Sequence, residues 1–145
     1  MIKLVFIPVS IVTALLVLAW QLRKVFQRQL SRARSEIAGS GERILIPPER
    51  AKFTGAARGY GRVRCDGVIA ATEKRLLFWR LCGFLIEVVL DQVTGVREER
   101  WFRGYFRAGC RHLVVELSDG NQVAFYVANP DRWLELFGET GKEGR

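Results

Sequence analysis

One histidine, His112, and three widely spaced cysteines, Cys65, Cys82 and Cys110, are all that this 145-residue chain offers to soft-metal or thiol chemistry. An odd cysteine count without a C-x-x-C pair points to reduced, structural thiols rather than a disulfide framework or a zinc site. His112 has no obvious second metal-ligating partner beside it in sequence and opens a β-rich run, which gives it a structural or surface role. Neither G-x-S-x-G nor G-x-x-x-x-G-K-[ST] occurs. Gly59-Tyr60-Gly61 starts like a phosphate loop, but Arg64 stands where G-x-G-x-x-G needs its last glycine. Carboxylates such as Glu87, Asp91 and Glu116 are spread over strand-like runs, with nothing to pair an acid with a base. No catalytic residue, cofactor or metal is assigned, and no enzymatic activity is expected. Helix-turn-helix, zinc-finger and RNP-like patterns are also missing, so nucleic acid is not an expected partner despite a net charge of +8.

The longest absence is of charge. Leu4 to Leu22 carries none, and the next twelve positions hold Arg23, Lys24, Arg28, Arg32 and Arg34. As a helix rising about 1.5 Å per residue, the uncharged run spans roughly 28 Å, one hydrocarbon core. A small-residue cleavage site of the A-x-A kind is not found at its end, which argues for a retained anchor over a signal peptide. Pro8 falls in the first turns, where a missing backbone donor costs least, and Trp20 suits the interfacial belt. Only Lys3 and the amino terminus precede the run, so the positive-inside rule places the N-terminus outside and the domain in the cytoplasm.

Residues 1–38 carry a net charge of +5, and the remaining 107 residues +3, so the densest basic cluster is juxtamembrane. There each cation gains about 1 kcal/mol from an anionic leaflet. From Leu22 to Ile37 the helix is expected to continue, with Leu22, Val25, Phe26, Leu30 and Ala33 on one face and arginines on the other. That stripe has three possible fates: the membrane surface, self-association, or docking on the rest of the chain. Gly39-Ser40-Gly41 breaks the helix, and Pro47-Pro48 prevents its resumption.

Beyond that point the pattern is strand and turn. Val68–Thr72 and Arg75–Arg80 flank a Glu73-Lys74 hairpin loop. Phe84–Asp91 and Val96–Phe102 read as further strands, and Leu113–Ser118 and Gln122–Ala128 flank Asp119-Gly120-Asn121, a short-hairpin signal. Leu76–Leu90 is hydrophobic enough to suggest a second span. Arg80 and Glu87 would each cost about 2.5–3.5 kcal/mol at bilayer centre, which favours two buried strands. Asn129-Pro130-Asp131 starts a helix over Asp131–Phe137, with Gly138 as its cap and a disordered tail over 139–145. The expected fold is mainly β: about seven strands in antiparallel hairpins forming a bent barrel, closed by a helix bearing Trp133, Leu134, Leu136 and Phe137.

Local wording narrows this. Gly41-Glu42-Arg43-Ile44-Leu45, then Ala71-Thr72-Glu73-Lys74-Arg75-Leu76-Leu77-Phe78, then Asp91-Gln92-Val93-Thr94-Gly95-Val96, then Asp119-Gly120 and a terminal helix with Trp133, resemble the pleckstrin-homology (PH) superfold. The likeness is specifically to its GRAM-like and bacterial PH-like domains, over residues 41–138. In lipid-binding members of that superfold, the loop between the first two strands supplies cations to phosphoinositide phosphates. Here it holds Arg58-Gly59-Tyr60-Gly61-Arg62-Val63-Arg64. Arginines two apart on a strand share a face, so Arg62 and Arg64 can grip one phosphate; solvated surface arginines explain them equally well.

A second basic stretch, Arg100-Trp101-Phe102-Arg103-Gly104-Tyr105-Phe106-Arg107, interleaves four aromatics with arginines around a glycine. It fits a membrane interface through Arg100, Trp101, Arg103, Tyr105 and Arg107, or ordinary packing with alternate aromatics inward. The expected function is a single-pass, membrane-anchored, non-catalytic module that binds anionic lipid headgroups or a protein partner at the cytoplasmic surface. The alternative is an assembly protein that self-associates through its basic helix and domain.

Overall fold

The computed structural model describes residues 3–81, 83 and 85–140. A single helix, α1, runs without a break over Lys3–Ser40, about 57 Å at the usual rise. Pro8 and the whole basic segment lie within it, and Gly39 and Ser40 form its last turn rather than a linker.

The strands after it are β1 (Ile44–Ala56), β2 (Cys65–Thr72), β3 (Arg75–Arg80), β4 (Leu85–Val89), β5 (Val93–Glu99), β6 (Trp101–Phe102), β7 (Tyr105–Phe106), β8 (His112–Leu117) and β9 (Gln122–Val127), before helix α2 (Pro130–Thr140). A single 3-10 turn, Leu90–Gln92, carries the chain from β4 to β5. Seven strands make one antiparallel sheet in the order β4-β3-β2-β1-β9-β8-β5, and β6 and β7 pair separately. The expected mainly β fold of about seven strands with a C-terminal helix is the fold observed. The run expected as one strand over Val96–Phe102 ends at Glu99, and its last two residues form the separate hairpin strand β6.

β1 is thirteen residues long because it serves both halves of the sheet. It pairs with β2 from Ile44 to Phe53 and with β9 from Ala51 to Ala56. Its pairing with β9 slips between Phe53 and Gly55, and Gly55 has φ +148, a bulge that bends the strand so the sheet curls into a half-barrel. Inside the curl, Phe53, Phe78 and Phe125 meet with ring centroids 5.3–6.2 Å apart. Leu113 and Val115 face the same core, as period-two alternation requires. α2 closes the curl with Trp133 and Phe137, and Trp133 Nε1 donates to Glu49 Oε1 at 2.9 Å. The helix extends through Thr140, with Gly138 inside it; residues 141–145 of the expected tail lie outside the described residues.

The two motif phrases meet physically. Thr72 Oγ1 donates to the Glu42 carboxylate at 2.6 Å and accepts from the backbone N–H groups of Lys74 and Arg75. Arg75 bonds the same carboxylate and pairs with Glu87. The Thr72 hydroxyl and the Arg75 guanidinium hold the Glu42 carboxyl below its usual range. The hairpin turn is thereby tied to the entry of β1.

The outer face of β2 and β3 is covered too. Ala33 and Ile37 of α1 are buried against Val68, Ala70, Leu77 and Trp79, with Leu30 at the edge. Trp79 Nε1 donates to Glu36. Of the three fates open to the apolar stripe, docking is the one taken at its Leu30 and Ala33 end, while Leu22 and Val25 stay exposed. It also explains the near-continuous hydrophobicity of β2 and β3, which are buried on both faces.

Candidate interaction surface

Contacts along α1 order the sheet relative to the helix. Arg75 at the start of β3 bonds Glu42 just beyond the helix, Trp79 bonds Glu36, and Gln29 Nε2 donates to the carbonyl of Arg80 at 3.2 Å. β3 therefore runs back along α1 towards its apolar half. Arg50 on β1 reaches further still, with its guanidinium 4.0 Å from the ring centroid of Phe26. The β1–β2 loop joins that same end, because Arg80 donates from Nη2 to the carbonyl of Tyr60.

The loop is built on a polar staple. The N–H of Arg58 donates to Asn121 Oδ1 and Asn121 Nδ2 donates back to the Arg58 carbonyl, each at 2.8 Å, so the β8–β9 turn fixes the start of the loop. Gly59 (φ +76) and Gly61 (φ +85) then turn the backbone where other residues are strained. The Arg80 guanidinium lies 4.9 Å over Phe53 and plugs this end of the half-barrel, with its Nε buried and unbonded. In the sequence Arg80 registers only as a charge interrupting an apolar run. Burial and nearby Asp119 push the Tyr60 phenol upward.

Arg58, Arg62 and Arg64 are all exposed in the loop, with Val63 69% exposed between the last two. β2 begins only at Cys65, so strand alternation does not place Arg62 and Arg64 on one face. Arg64 instead stacks its guanidinium 3.8 Å over the ring of Tyr105. That contact joins the two basic stretches into one surface.

The second stretch is a hairpin whose turn residues, Arg103 (φ 49) and Gly104 (φ 77), both adopt the left-handed conformation of tight two-residue turns. Its faces part company. Phe102 is buried against Val114 and Ala124 on the outside of the sheet, and Tyr105 is half-buried beside it. Trp101 and Phe106 stack on each other at 4.8 Å on the opposite face, 62% and 45% exposed. Of the two aromatics expected at an interface, Trp101 is presented outward and Tyr105 is on the covered face. Phe106, which sequence reasoning passed over, stands beside Trp101; cross-strand pairing was the signal that locates it. Arg100, Arg103 and Arg107 flank the pair, all exposed.

Beneath the hairpin His112 is fully buried. Its Nδ1 lies 2.9 Å from Thr54 Oγ1, and its Nε2 lies 3.0 Å from the Tyr105 carbonyl and 3.1 Å from the Tyr126 hydroxyl. The ring stacks on Tyr126 at 4.4 Å. Burial holds its pKa below the usual histidine value. Its role is to pin the hairpin to the sheet.

Of the nearby acids, Glu98 pairs with Arg111, and Glu99 and Glu116 with Arg97, while Asp66 and Asp119 are exposed and form no ion pair with the described residues. Among the described residues Arg58, Arg62, Arg100, Arg103 and Arg107 form no ion pair, which leaves the surface net positive. On α1, Arg23, Lys24, Arg28, Arg32 and Arg34 are exposed; Lys24 covers the Trp20 ring at 4.8 Å and Arg32 pairs with Glu36. No cluster of three or more His, Cys, Asp or Glu side chains suited to a metal occurs among the described residues.

No family model matches the chain, and no curated protein matches it significantly in sequence. Among solved structures, it is similar to the C-terminal domain of an unknown protein from Leishmania infantum. That likeness is at 11% identity and a TM-score of 0.48, over 83% of this chain and 95% of that one. The architecture seen here, a curled antiparallel half-barrel with a C-terminal helix, fits a PH-like fold. It is preceded by one helix long and apolar enough to cross a membrane.

Proposed function

We propose that the chain is a single-pass, membrane-anchored, non-catalytic PH-like module of the GRAM-like or bacterial kind, which binds anionic lipid headgroups at the cytoplasmic surface. One observation carries the reading. The exposed apolar half of α1 continues unbroken into the half that docks on the sheet, so the anchor and the basic loop end are parts of one framework. Val9, Ile11, Val12, Leu15, Leu16, Val17, Leu18, Trp20 and Leu22 are exposed, an arrangement suited to lipid on every side and costly in water. The joined surface of Arg58, Arg62, Arg64, Arg100, Arg103 and Arg107 then faces the leaflet, with Trp101 and Phe106 at headgroup depth. The rival reading, assembly through the basic helix, loses its most suitable surface, because Leu30, Ala33 and Ile37 already cover the sheet.

Topology and binding are tested separately. A reporter fused after Arg145 is expected to behave as cytoplasmic, and efficient glycosylation or periplasmic-type activity of that fusion reverses the orientation. Residues 23–145, which keep the docked half of α1, are expected to sediment with phosphatidylglycerol vesicles and not with phosphatidylcholine vesicles. A concentration-dependent oligomer with no vesicle affinity transfers the case to assembly.

A further inference from the structure

The uncharged run ends at Leu22, and one helical turn further the domain reaches back to touch α1. Arg50 lies over Phe26, three residues from Arg23, so folding adds a cation from β1 to the juxtamembrane cluster. Ala19, Leu22, Arg23, Phe26, Gln27 and Arg50 line a cleft of about 580 Å³. Its lining changes character along the helix. Ala19 and Leu22 belong to the uncharged run, whereas Arg23, Gln27 and Arg50 bring hydrogen-bond donors, and no carboxylate is among them. Glu49, next to Arg50, is turned to the other side of the strand, where it accepts from Trp133.

We propose that this cleft seats one anionic glycerophospholipid of the surrounding leaflet. Arg23 and Arg50 hold its phosphate, and the first carbons of its chains lie on Ala19 and Leu22. The inference rests on the reading that the apolar half of α1 spans the bilayer. Depth supports it: Phe26 lies about 6 Å beyond Leu22 along the helix, within a headgroup layer about 5–7 Å thick on each side. Chemistry supports it as well. A guanidinium is a planar fork that takes phosphate oxygens in pairs, and stacking on Phe26 orients that of Arg50 in advance. A zwitterionic lipid offers the same phosphate but adds an ammonium that the two guanidinium groups lining the cleft repel, so the site selects for net negative headgroups.

The test uses the full chain in mild detergent, incubated with phosphatidylglycerol or with phosphatidylcholine of the same acyl chains and examined by native mass spectrometry. One phosphatidylglycerol per chain is expected to be retained, about tenfold over phosphatidylcholine. Arg23→Gln and Arg50→Gln are each expected to lower that retention about tenfold, the loss of one charge-assisted contact. Arg132→Gln on α2, outside the cleft, leaves retention unchanged. Equal retention of the two lipids by the unaltered chain, or undiminished retention by Arg50→Gln, overturns the proposal. So does a lipid-independent dimer that Arg50→Gln dissolves, which gives the cleft to a second copy. Alkaline extraction of the full chain from membranes keeps the two readings apart: release removes the anchor beneath the proposal, while a chain that resists extraction but retains no lipid sinks the cleft alone.

Discussion

The guanidinium of Arg64 lies 3.8 Å from the centroid of the Tyr105 ring, across 41 residues of sequence. This single stack ties the β1–β2 loop to the β6–β7 hairpin and turns two basic stretches into one surface. Arg64→Ala is expected to cost about 0.5–1 kcal/mol, the value of an exposed cation–π contact. The loss should be local, with faster amide exchange in residues 101–106 and unchanged exchange in β2, β3 and β8. A uniform rise in exchange across the sheet contradicts a role confined to the hairpin.

The split faces of the hairpin make opposite predictions for neighbouring residues. In residues 23–145, Trp101→Ala together with Phe106→Ala should weaken binding to phosphatidylglycerol vesicles several-fold and leave the melting temperature nearly unchanged, because both rings are exposed. Phe102→Ala should do the reverse, costing about 3–5 kcal/mol of stability for a buried phenylalanine. If the double change unfolds the domain, the outward pair is structural and the membrane reading of the hairpin fails.

Docking of α1 predicts where the chain can be cut. Residues 39–145 leave Val68, Ala70, Leu77 and Trp79 uncovered, whereas residues 23–145 retain Leu30, Ala33 and Ile37 over them. Each large apolar side chain buried contributes about 1.5–3 kcal/mol. The shorter fragment should melt at a lower temperature than the longer one and associate at concentrations where the longer stays monomeric. Identical melts for the two fragments show that the helix does not belong to the folded unit.

Acid stability should carry a signature of His112. Its pKa is lowered in the folded state, mainly by burial and in part by Arg64, with the Tyr105 carbonyl and Glu99 opposing; Tyr126 and Tyr105 are the other titratable groups against the ring. The unfolded chain then binds the proton more readily. Stability is full above the unfolded value near 6.5 and falls as pH drops through it. Glu42 is held below the ordinary carboxylate range and stays ionised throughout that window, so its contribution is lost only in stronger acid. Urea unfolding at about pH 7.5 and about pH 5.5, either side of the ordinary histidine value, should show a loss of stability at the lower pH that disappears in His112→Gln. A loss of the same size in the variant assigns it to other groups.

The turn after β2 should be sensitive at one hydroxyl. Thr72→Val keeps the shape but leaves the N–H groups of Lys74 and Arg75 without their side-chain acceptor and takes a donor from Glu42. A cost of about 1 kcal/mol is expected from losing these part-buried hydrogen bonds. Thr72→Ser, which restores the oxygen, should recover most of it in thermal melts. Failure of serine to rescue would mean that the methyl group, not the hydroxyl, holds the turn.

What the sequence determined by itself is local. Glu73-Lys74 between two β-rich runs, Asp119-Gly120-Asn121 between two more, and Pro130 beginning a helix each act over a few residues, where turn and cap geometry is dictated by residue type. The uncharged run from Leu4 to Leu22 is equally plain, because length and lack of charge are properties of the string. Tertiary structure decided what depends on distant partners. Whether Leu30 and Ala33 faced lipid, a second copy or the sheet was open until Trp79 was placed against Glu36, 43 residues away. The hairpin aromatics alternate in any strand; only the position of Val114 and Ala124 made Phe102 and Tyr105 the covered face and Trp101 and Phe106 the open one. Arg50 is an unremarked cation in a strand until the sheet docks and sets it over Phe26, one helical turn beyond the uncharged run of α1. Burial and charge clustering are sums over neighbours in space, and a chain does not disclose those neighbours until it is folded.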